Sequence, residues 1–515
     1  MVKNQEIVGE SLAKVLPSYE KPWYRVPHLL KLNLVLLVPL LSSAVAGYDG
    51  SMMNGLQATD SWKQYFSNPT GTKLGVVNAA QSIGSVAALP FVGYLSDKIG
   101  RRWTLFLGIV TIIVASIIQA ASINYGMFVA SRIIVGAGGM LVSQPSPMLI
   151  SELSFPTHRG KFTSLFWTCY YFGAILASWS TYGTQKHIGD SDWAWRAPSI
   201  LQAAYPIIQL CFFWFVPESP RWLIANGKIA KAREILARYH TGGDSNHMLI
   251  EFEMAEISAA IEAEQAAAET KWSSLVSTPG NRKRTLVIVV CVGAFAQWNG
   301  VAIISYYLTL VLDTVGIKDA DTQTLINGLL QIFNFWAAVS AAFLVDRLGR
   351  RTLFTWSGIG MLVSFVIWTA CSAVFDNDGS KGAGIAVVVF IFIYFFHYDI
   401  AYTPLLFGYT TEILPYSLRA KGLTAEMLSI YGSLVILAFV NPIALDNIGW
   451  HYYIVFCCIL VVINIITWFF FPETKGHSLE EIAEIFDGPS AHPMVDSIVA
   501  GKTENNETIE HVQKV

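Results

Sequence analysis

The sequence predicts an all-α membrane protein in which twelve transmembrane helices form two parallel six-helix bundles. Three observations lead to this fold class: an apolar composition, twelve apolar runs of membrane-spanning length, and charged motifs that occur once in each half. Of the 515 residues, 53% are hydrophobic and 14% are charged, whereas soluble proteins carry about 25% charged residues. This composition argues against a soluble enzyme, a nucleic-acid-binding protein and a disordered protein.

The apolar runs define the domain organisation, because a helix of about 20 residues crosses a bilayer. The twelve predicted spans are 30–53, 74–95, 103–122, 126–149, 162–183, 197–216, 285–312, 324–345, 353–374, 384–408, 422–442 and 450–471. The predicted domains are a tail at 1–29, a six-helix bundle at 30–216, a loop with short helices at 217–284, a second six-helix bundle at 285–471 and a tail at 472–515. The tail at 1–29 is polar, so we expect the first run to be a permanent span and not a cleaved signal peptide.

Basic residues collect on one side of this topology, which we call the basic side. They lie in the connections between spans 2 and 3, 4 and 5, 6 and 7, 8 and 9, and 10 and 11. Cytoplasmic loops of membrane proteins carry an excess of Lys and Arg. We therefore expect the basic side and both termini to be cytoplasmic.

Three charged motifs follow spans 2, 4 and 6 and recur after spans 8, 10 and 12, as expected of two parallel repeats around an axis along the membrane normal. Their charged residues are Asp97, Arg101, Arg102, Glu152, Arg159, Glu218 and Arg221 in the first half and Asp346, Arg350, Arg351, Glu412, Arg419 and Glu473 in the second. Pairs such as Glu152 with Arg159 and Asp97 with Arg101 are predicted to hold the bundles together as a cytoplasmic gate. The alternative is a topology signal with solvated ion pairs worth about 0–1 kcal/mol each.

Five motifs in family order resemble the sugar porter family of the major facilitator superfamily. They cover residues 97–102, 217–221, 346–351, 412–422 and 472–476. Finer features resemble the fungal lactose and cellodextrin permeases, and they lie at residues 47–50, 195–198, 297–300 and 412–416. The resemblance implies the major facilitator fold, alternating access and a sugar substrate, with no cofactor and no chemistry on the substrate.

Charged residues inside the membrane are costly and usually functional. In proton-coupled members of this family, the aspartate at the position of Asp49 carries the proton, and an arginine at the position of Arg132 pairs with it. The resemblance thus implies a proton-coupling pair. The alternative is that span 1 ends near residue 50 and that Asp49 is a helix-end acid. For Glu426 in span 11 we favour a structural pairing with a nearby base, and for His397 a polar core role.

Sugar recognition needs polar groups for the hydroxyls and aromatic faces for the ring. The residues predicted at the sugar site are Gln297, Trp298, Asn299, Tyr306, Tyr307, Asn334, Asp399 and Phe407. Asp399 could instead stabilise span 10 near Pro404. The family pattern is lost at four positions, which hold Ala296, Ala302, Trp167 and Phe407. These losses favour a larger glycoside over free glucose, although many aromatic residues of such a chain simply pack or face lipid.

The sequence therefore predicts a proton:disaccharide symporter, similar to lactose or cellobiose permeases, that acts as a monomer in the plasma membrane. Its predicted partners are a sugar, a proton and the lipid bilayer, without nucleic acid. A facilitative hexose uniporter stays open as an alternative. A non-transporting sugar sensor is a further alternative, against which the short tail at 472–515 argues.

Overall fold

The computed structural model describes residues 14–17, 22–268, 271–475, 482, 485 and 486. Within these residues the chain is helical and contains no strand. Ten stretches are long and apolar enough to cross a membrane, and one of them, Lys421–Phe470, contains parts of two successive helices. Together with the helices of span 5, these stretches make the twelve predicted spans and confirm the predicted fold class.

The first half contains spans 1 to 6. Span 1 is one helix, but spans 4, 5 and 6 are interrupted near Gln144, Cys169 and Gln202. The helices are Pro27–Ala58 (span 1), Gly71–Ile99 (span 2), Arg101–Ala120 (span 3), Tyr125–Ser143 and Pro145–Leu153 (span 4), Arg159–Thr168 and Tyr170–Ile188 (span 5), and Trp193–Leu201 and Ala204–Phe212 (span 6). The short helix Asp60–Tyr65 follows span 1.

The second half follows three helices on the basic side, Pro220–Ala225, Ile229–His240 and Met248–Ala268. Span 7 is built from four helical pieces, and spans 8 to 12 are single helices. The helices are Pro279–Thr285, Leu286–Ala294, Phe295–Trp298 and Val301–Thr314 (span 7), Ala320–Leu348 (span 8), Arg350–Asp378 (span 9), Lys381–Ile413 (span 10), Tyr416–Ile448 (span 11) and Tyr452–Phe470 (span 12). Leu286–Ala294 is a π-helix.

The repeated motif after spans 2 and 8 produces the same sharp turn in both halves. Gly100 has φ 101° and ψ 160°, and Gly349 has φ 88° and ψ 160°. Side-chain-bearing residues rarely adopt this backbone region. Glycine therefore lets each helix end and the next begin within one residue, which returns the chain across the bundle.

Spans 1 and 5 approach each other closely because glycines face the contact. A Cβ atom on Gly47 would lie 1.8 Å from the carbonyl oxygen of Tyr170, and one on Gly173 would lie 1.7 Å from that of Ala44. Small residues at such crossings let membrane helices pack backbone to backbone. This contact brings the middle of span 5 beside Asp49 in span 1. The two halves meet where span 2 packs on span 11 and span 5 packs on span 8.

Candidate functional site

A cavity of about 250 Å³ lies between the two halves. Spans 1 and 5 contribute its wall from the first half, and spans 7, 8, 10 and 11 contribute the wall from the second half. The lining residues are Gly50, Ser51, Trp167, Tyr170, Tyr171, Gln297, Val301, Ser305, Tyr306, Gln331, Asn334, Phe395, Tyr398, Tyr402, Thr403, Leu406, Phe407 and Leu434. Amides, hydroxyls and aromatic rings dominate this wall, and these are the groups that recognise a neutral polyhydroxylated ring.

Span 7 is broken beside the cavity. Gly300 has φ 106°, and Tyr307 departs from helical geometry with φ −138°. Irregular backbone at membrane depth is tolerated where protein buries it or where it lines a cavity, because its polar groups need partners. The break therefore turns Ser305 and Tyr306 into the cavity and exposes backbone groups that another span must satisfy.

Asn54 of span 1 supplies those partners from the other half. Its Nδ2 donates to the Ser305 carbonyl at 2.7 Å, and its Oδ1 accepts from the Leu308 amide at 3.3 Å. The Gln57 amide donates to the Tyr306 carbonyl at 2.9 Å. These hydrogen bonds join spans 1 and 7 on the side of the cavity opposite the basic side, so they close the cavity there.

The predicted proton-coupling residues lie together. Arg132 Nη1 donates to Asp49 Oδ1, and both side chains are buried. Gln202 Nε2 donates to the same oxygen at 3.0 Å, and Arg132 Nη2 donates to Gln81 Oε1 at 2.9 Å. Span 1 continues to Ala58, so the alternative of a helix-end acid is wrong. The next two residues, 50 and 51, line the cavity.

Four of the eight predicted sugar-site residues line the cavity, namely Gln297, Tyr306, Asn334 and Phe407. Their role in sugar binding stays a prediction. The other four lie behind the wall. Trp298 packs against the same cluster of buried residues as Phe407. The three further residues make hydrogen bonds within the protein and are Asn299, Tyr307 and Asp399.

These hydrogen bonds have structural consequences. Asn299 Oδ1 accepts from the Val301 amide at 3.0 Å and from Tyr394 Oη at 3.1 Å, so it caps the helix after the break. Tyr307 Oη donates to the Ala438 carbonyl and ties span 7 to span 11. Burial of all three side chains is complete or nearly so. This placement differs from the predicted sugar contact. The break in span 7 rotates Asn299 and Tyr307 away from the cavity, whereas Tyr171 and Thr403 hold the carboxylate of Asp399 in span 10.

Sequence reasoning noted Trp167 only as a departure from the family pattern and missed the two tyrosines that follow it in span 5. Tyr170 and Tyr171 line the cavity, and Tyr171 Oη donates to Asp399 Oδ1 of span 10 at 2.6 Å. Thr403 donates to the same oxygen at 2.8 Å. The Trp167 ring stacks on Phe407, with centroids 4.9 Å apart and planes at 21°. Both contacts join the two halves. The adjacent tyrosines at 170 and 171 were the available signal, but aromatic residues are abundant in this chain.

Glu426 is also buried, inside span 11, and no Lys or Arg pairs with its carboxylate among the residues that the structure describes. The favoured pairing with a nearby base is therefore not seen. His397 is half-buried, and its Nδ1 lies 2.8 Å from the Ile393 carbonyl one helical turn earlier. That contact fits a polar core role.

The repeated charged motifs form an equivalent Arg–Glu ion pair at the basic end of each half. In the first half, Arg101 lies 3.1 Å from Asp97 and 3.7 Å from Glu152, which in turn accepts from Ser219 Oγ. In the second half, Arg350 lies 2.9 Å from Glu412, which accepts from the hydroxyl of Thr474. The corresponding pairs are Arg101 with Glu152 and Arg350 with Glu412.

These ion pairs correct the predicted gate geometry. Arg101 and Glu152 belong to spans 3 and 4 of one bundle, and Arg350 and Glu412 belong to spans 9 and 10 of the other. The pairs therefore brace each bundle internally, because both partners sit at helix ends of the same half, and they do not bridge the two halves. Arg159 and Arg221 lie with Glu152 around a small cavity beside helix Met248–Ala268.

Glu218 and Glu473 hold corresponding positions at helix N-termini. Glu218 accepts from the amides of Arg102 and Ser219, and a second-half equivalent, Glu473, accepts from four amides including that of Arg351. Anions are stabilised at helix N-termini. Burial raises the pKa of Glu218 and outweighs its two hydrogen bonds, whereas the four amides overcome partial burial and lower the pKa of Glu473.

The remaining predicted gate residues do not belong to these ion pairs. The guanidinium of Arg102 lies 4.8 Å from the Phe213 ring centroid, and that of Arg351 lies 5.3 Å from the Trp468 ring centroid. These are corresponding cation–π contacts with the ends of spans 6 and 12. Arg419 lies near the start of span 11. The side chain of Asp346 lies outside the described part of the chain.

Two helical halves around a polar and aromatic cavity, with a buried ion pair beside it, define a membrane transporter. Residues 35–486 match the family model described as "Sugar (and other) transporter". The chain therefore belongs to that sugar transporter family, and it is not expected to be an enzyme.

Similar proteins support this assignment. The low-affinity glucose transporter HXT1 of Saccharomyces cerevisiae is 30% identical over 457 residues, which cover 87% of this chain and 78% of that protein. The high-affinity glucose transporter of Kluyveromyces lactis is 29% identical over 510 residues, which cover 95% of this chain and 90% of that protein. These relatives are glucose transporters, so they do not support the narrower prediction of a lactose or cellodextrin permease.

Solved structures share the fold. The inward open conformation of the xylose transporter XylE from E. coli matches with a TM-score of 0.74 and 24% identity over 88% of this chain and 100% of that chain. The proton:xylose symporter XylE bound to 6-bromo-6-deoxy-D-glucose matches with a TM-score of 0.71 and 24% identity over 88% of this chain and 99% of that chain. At this identity, the likeness establishes the major facilitator fold alone.

Proposed function

We propose that this protein is a proton-coupled transporter for a sugar of hexose size and that it works by alternating access. The observation that carries the proposal is the buried pair of Asp49 and Arg132 next to the cavity. Passive transport of a neutral sugar needs no such pair. Charged side chains at membrane depth are costly to bury, and those that occur there usually have a function.

The geometry suggests how a proton could act. Asp49 Oδ1 accepts from Arg132 and Gln202, while Oδ2 has no hydrogen-bond partner among the described residues. A proton on Oδ2 would neutralise the carboxylate and weaken its hold on the guanidinium, which stays charged. Because Asp49 is in span 1 and Arg132 in span 4, protonation would change how span 1 is held in its bundle, next to the cavity-lining residues 50 and 51.

The cavity size favours one sugar ring. Its volume of about 250 Å³ lies just below the roughly 300–1,000 Å³ that is typical of sites for drug-sized ligands. The names of the yeast relatives, which are glucose transporters, agree with a monosaccharide. A disaccharide, as predicted from the lost amides, would need a wider cavity than the one between the halves.

The cellular membrane, the orientation and the oligomeric state of the protein can also be proposed. We infer a plasma-membrane protein, by analogy with the yeast transporters, with the basic side and both termini in the cytoplasm because of the distribution of Lys and Arg. A monomer suffices for transport, because residues of one chain form the whole cavity.

The test is the external pH of weakly buffered cells that express the protein at the surface. Glucose, xylose, maltose, lactose and cellobiose are added in turn. We expect a monosaccharide to cause alkalinisation, and we expect Asp49→Asn to abolish the pH change together with sugar accumulation. Asp60→Asn is the matched control, because Asp60 is an exposed acid near Lys63 in the short helix that follows span 1.

Other outcomes separate the alternatives. Sugar uptake without a pH change would identify a uniporter and reduce Asp49 to a structural role. Alkalinisation with disaccharides alone would overturn the size argument. A surface-located protein that moves none of these sugars would favour the sensor alternative.

A further inference from the structure

Trp167 and Phe407 form an aromatic contact between the two halves at the basic end of the cavity. Trp167 is in span 5 and Phe407 in span 10, and both rings line the cavity. At a rise of 1.5 Å per residue, Trp167 lies about 12 Å along the helix from Arg159, and Phe407 lies about 8 Å from Glu412. The stacked rings are therefore between the cavity and the basic side.

Each ring is held by its own bundle. Trp167 packs against a cluster that contains Leu40 and Ile150, and Phe407 packs against one that contains Ile430 and Leu434. Both rings lie on membrane-spanning helices, Trp167 in Arg159–Thr168 and Phe407 in Lys381–Ile413. The pair thus joins two rigid surfaces and does not link two mobile loops.

The stacking has a consequence for the ligand. With ring centroids 4.9 Å apart and planes at 21°, no second sugar ring fits between the two side chains. The pair also presents an apolar wall to the cavity where an amide would present a hydrogen-bond donor. A ligand ring can pack against this wall, but an extended glycoside cannot continue past it toward the basic side.

We propose that Trp167 and Phe407 act as one specificity-determining unit, which closes the basic end of the cavity and limits the ligand to a single sugar ring. This inference rests on the proposed function for the identity of the ligand. The two rings must separate before the cavity can open to the basic side.

The first test measures competition with labelled glucose uptake. We expect Trp167→Ala and Phe407→Ala to improve competition by maltose or cellobiose, relative to unlabelled glucose, by about 2- to 10-fold, the range expected for one aromatic pair. The double variant should not exceed the larger single effect by much, because either substitution removes the same contact. Trp167→Phe should retain the wild-type ratio. Trp336→Ala, which removes a lipid-facing ring that is 62% exposed, is the control for loss of a large side chain.

An unchanged glucose-to-disaccharide ratio in a Trp167→Ala protein that still transports glucose would overturn the proposal. So would a Trp167→Phe variant that behaves like Trp167→Ala, because stacking would then be irrelevant.

A second test does not depend on sugar. Ser51→Cys places a thiol at the cavity wall, and a membrane-impermeant maleimide is applied from the basic side in oriented vesicles, with the protein lacking the added cysteine as background. We expect Trp167→Ala to increase the labelling rate of this thiol and Trp336→Ala to leave it unchanged. Equal labelling rates would overturn closure by the pair. If the wild-type chain transports no sugar, the proposed function fails, while the labelling rates still decide whether the pair closes the cavity.

Discussion

The guanidinium of Arg132 contacts the carboxylate of Asp49 across 83 residues of sequence, and the two side chains are 1% and 3% exposed. The contact joins span 4 to span 1 within the first bundle. Neither charge has access to bulk water, so each depends on the other and on the amides of Gln81 and Gln202. The pair is therefore a structural element as well as the centre of the proposed proton coupling.

Removal of Arg132 should destabilise the protein strongly. Arg132→Ala leaves the Asp49 carboxylate buried without its cation, and breaking a buried ion pair in this way costs about 3–5 kcal/mol. We expect a lower melting temperature for the detergent-purified variant. Combining Arg132→Gln with Asp49→Asn removes both charges and should recover part of the loss. Arg132→Ala with wild-type thermal stability would contradict this assignment of the pair.

The stability of the basic-side helices should depend on pH through His240. Its Nδ1 lies 2.9 Å from both carboxylate oxygens of Glu253, and its Nε2 lies 3.1 Å from the Leu153 carbonyl. Both ring nitrogens face acceptors, so only the protonated imidazolium can donate to both. Burial lowers the pKa of His240, but the Glu253 carboxylate and the Leu153 carbonyl together outweigh burial and the nearby Arg159, and the net pKa is raised above 6.5.

The sign of the effect follows from this raised pKa. The stabilisation is fully present below the unfolded pKa of about 6.5 and is lost as the pH rises through the higher folded value. We therefore expect the melting temperature of wild type to exceed that of His240→Gln most at pH 6, with a difference that shrinks toward alkaline pH. His28 also faces His240. The control is His451→Gln, which removes an exposed histidine; a pH-independent difference for His240→Gln would contradict the prediction.

Loss of Asn54 should favour opening of the cavity away from the basic side. Asn54→Ala removes the side-chain hydrogen bonds to Ser305 and Leu308, each worth about 0.5–1.5 kcal/mol. We expect faster maleimide labelling of Ser51→Cys from that side. Gln64→Ala, an exposed residue near the same surface, should leave the rate unchanged. Slower labelling in Asn54→Ala would show that these bonds do not hold the cavity closed.

The turn glycine of the first repeat should resist substitution. Gly100→Ala places a side chain at φ 101° with its Cβ 2.2 Å from Glu218 Oε2. Strain in this backbone region costs about 1–3 kcal/mol, so we expect a lower melting temperature. Gly139→Ala is the control, because no atom lies within 4 Å of the added Cβ inside a helix. Equal melting temperatures of the two variants would contradict the strain argument.

Much of the fold followed from sequence patterns. The apolar runs located all twelve spans, but most of the helices extend beyond them; span 11, for example, covers Tyr416–Ile448 where 422–442 was predicted. Apolar runs report the hydrocarbon thickness, whereas a helix continues until a cap or turn ends its hydrogen bonding. The domain boundaries and the cytoplasmic orientation stay predictions.

The sequence by itself determined the class of protein, the twelve spans and the internal repeat, because hydropathy and charged motifs are local properties. Only the tertiary structure decided that Asn299, Tyr307 and Asp399 turn away from the cavity, that the repeated ion pairs stay within one bundle, and that Trp167 stacks on Phe407. These features depend on the rotation of each helix about its axis and on the packing of one bundle against the other. Residue spacing does not encode either quantity, because the breaks in spans 7 and 5 change which residues of each helix face the cavity.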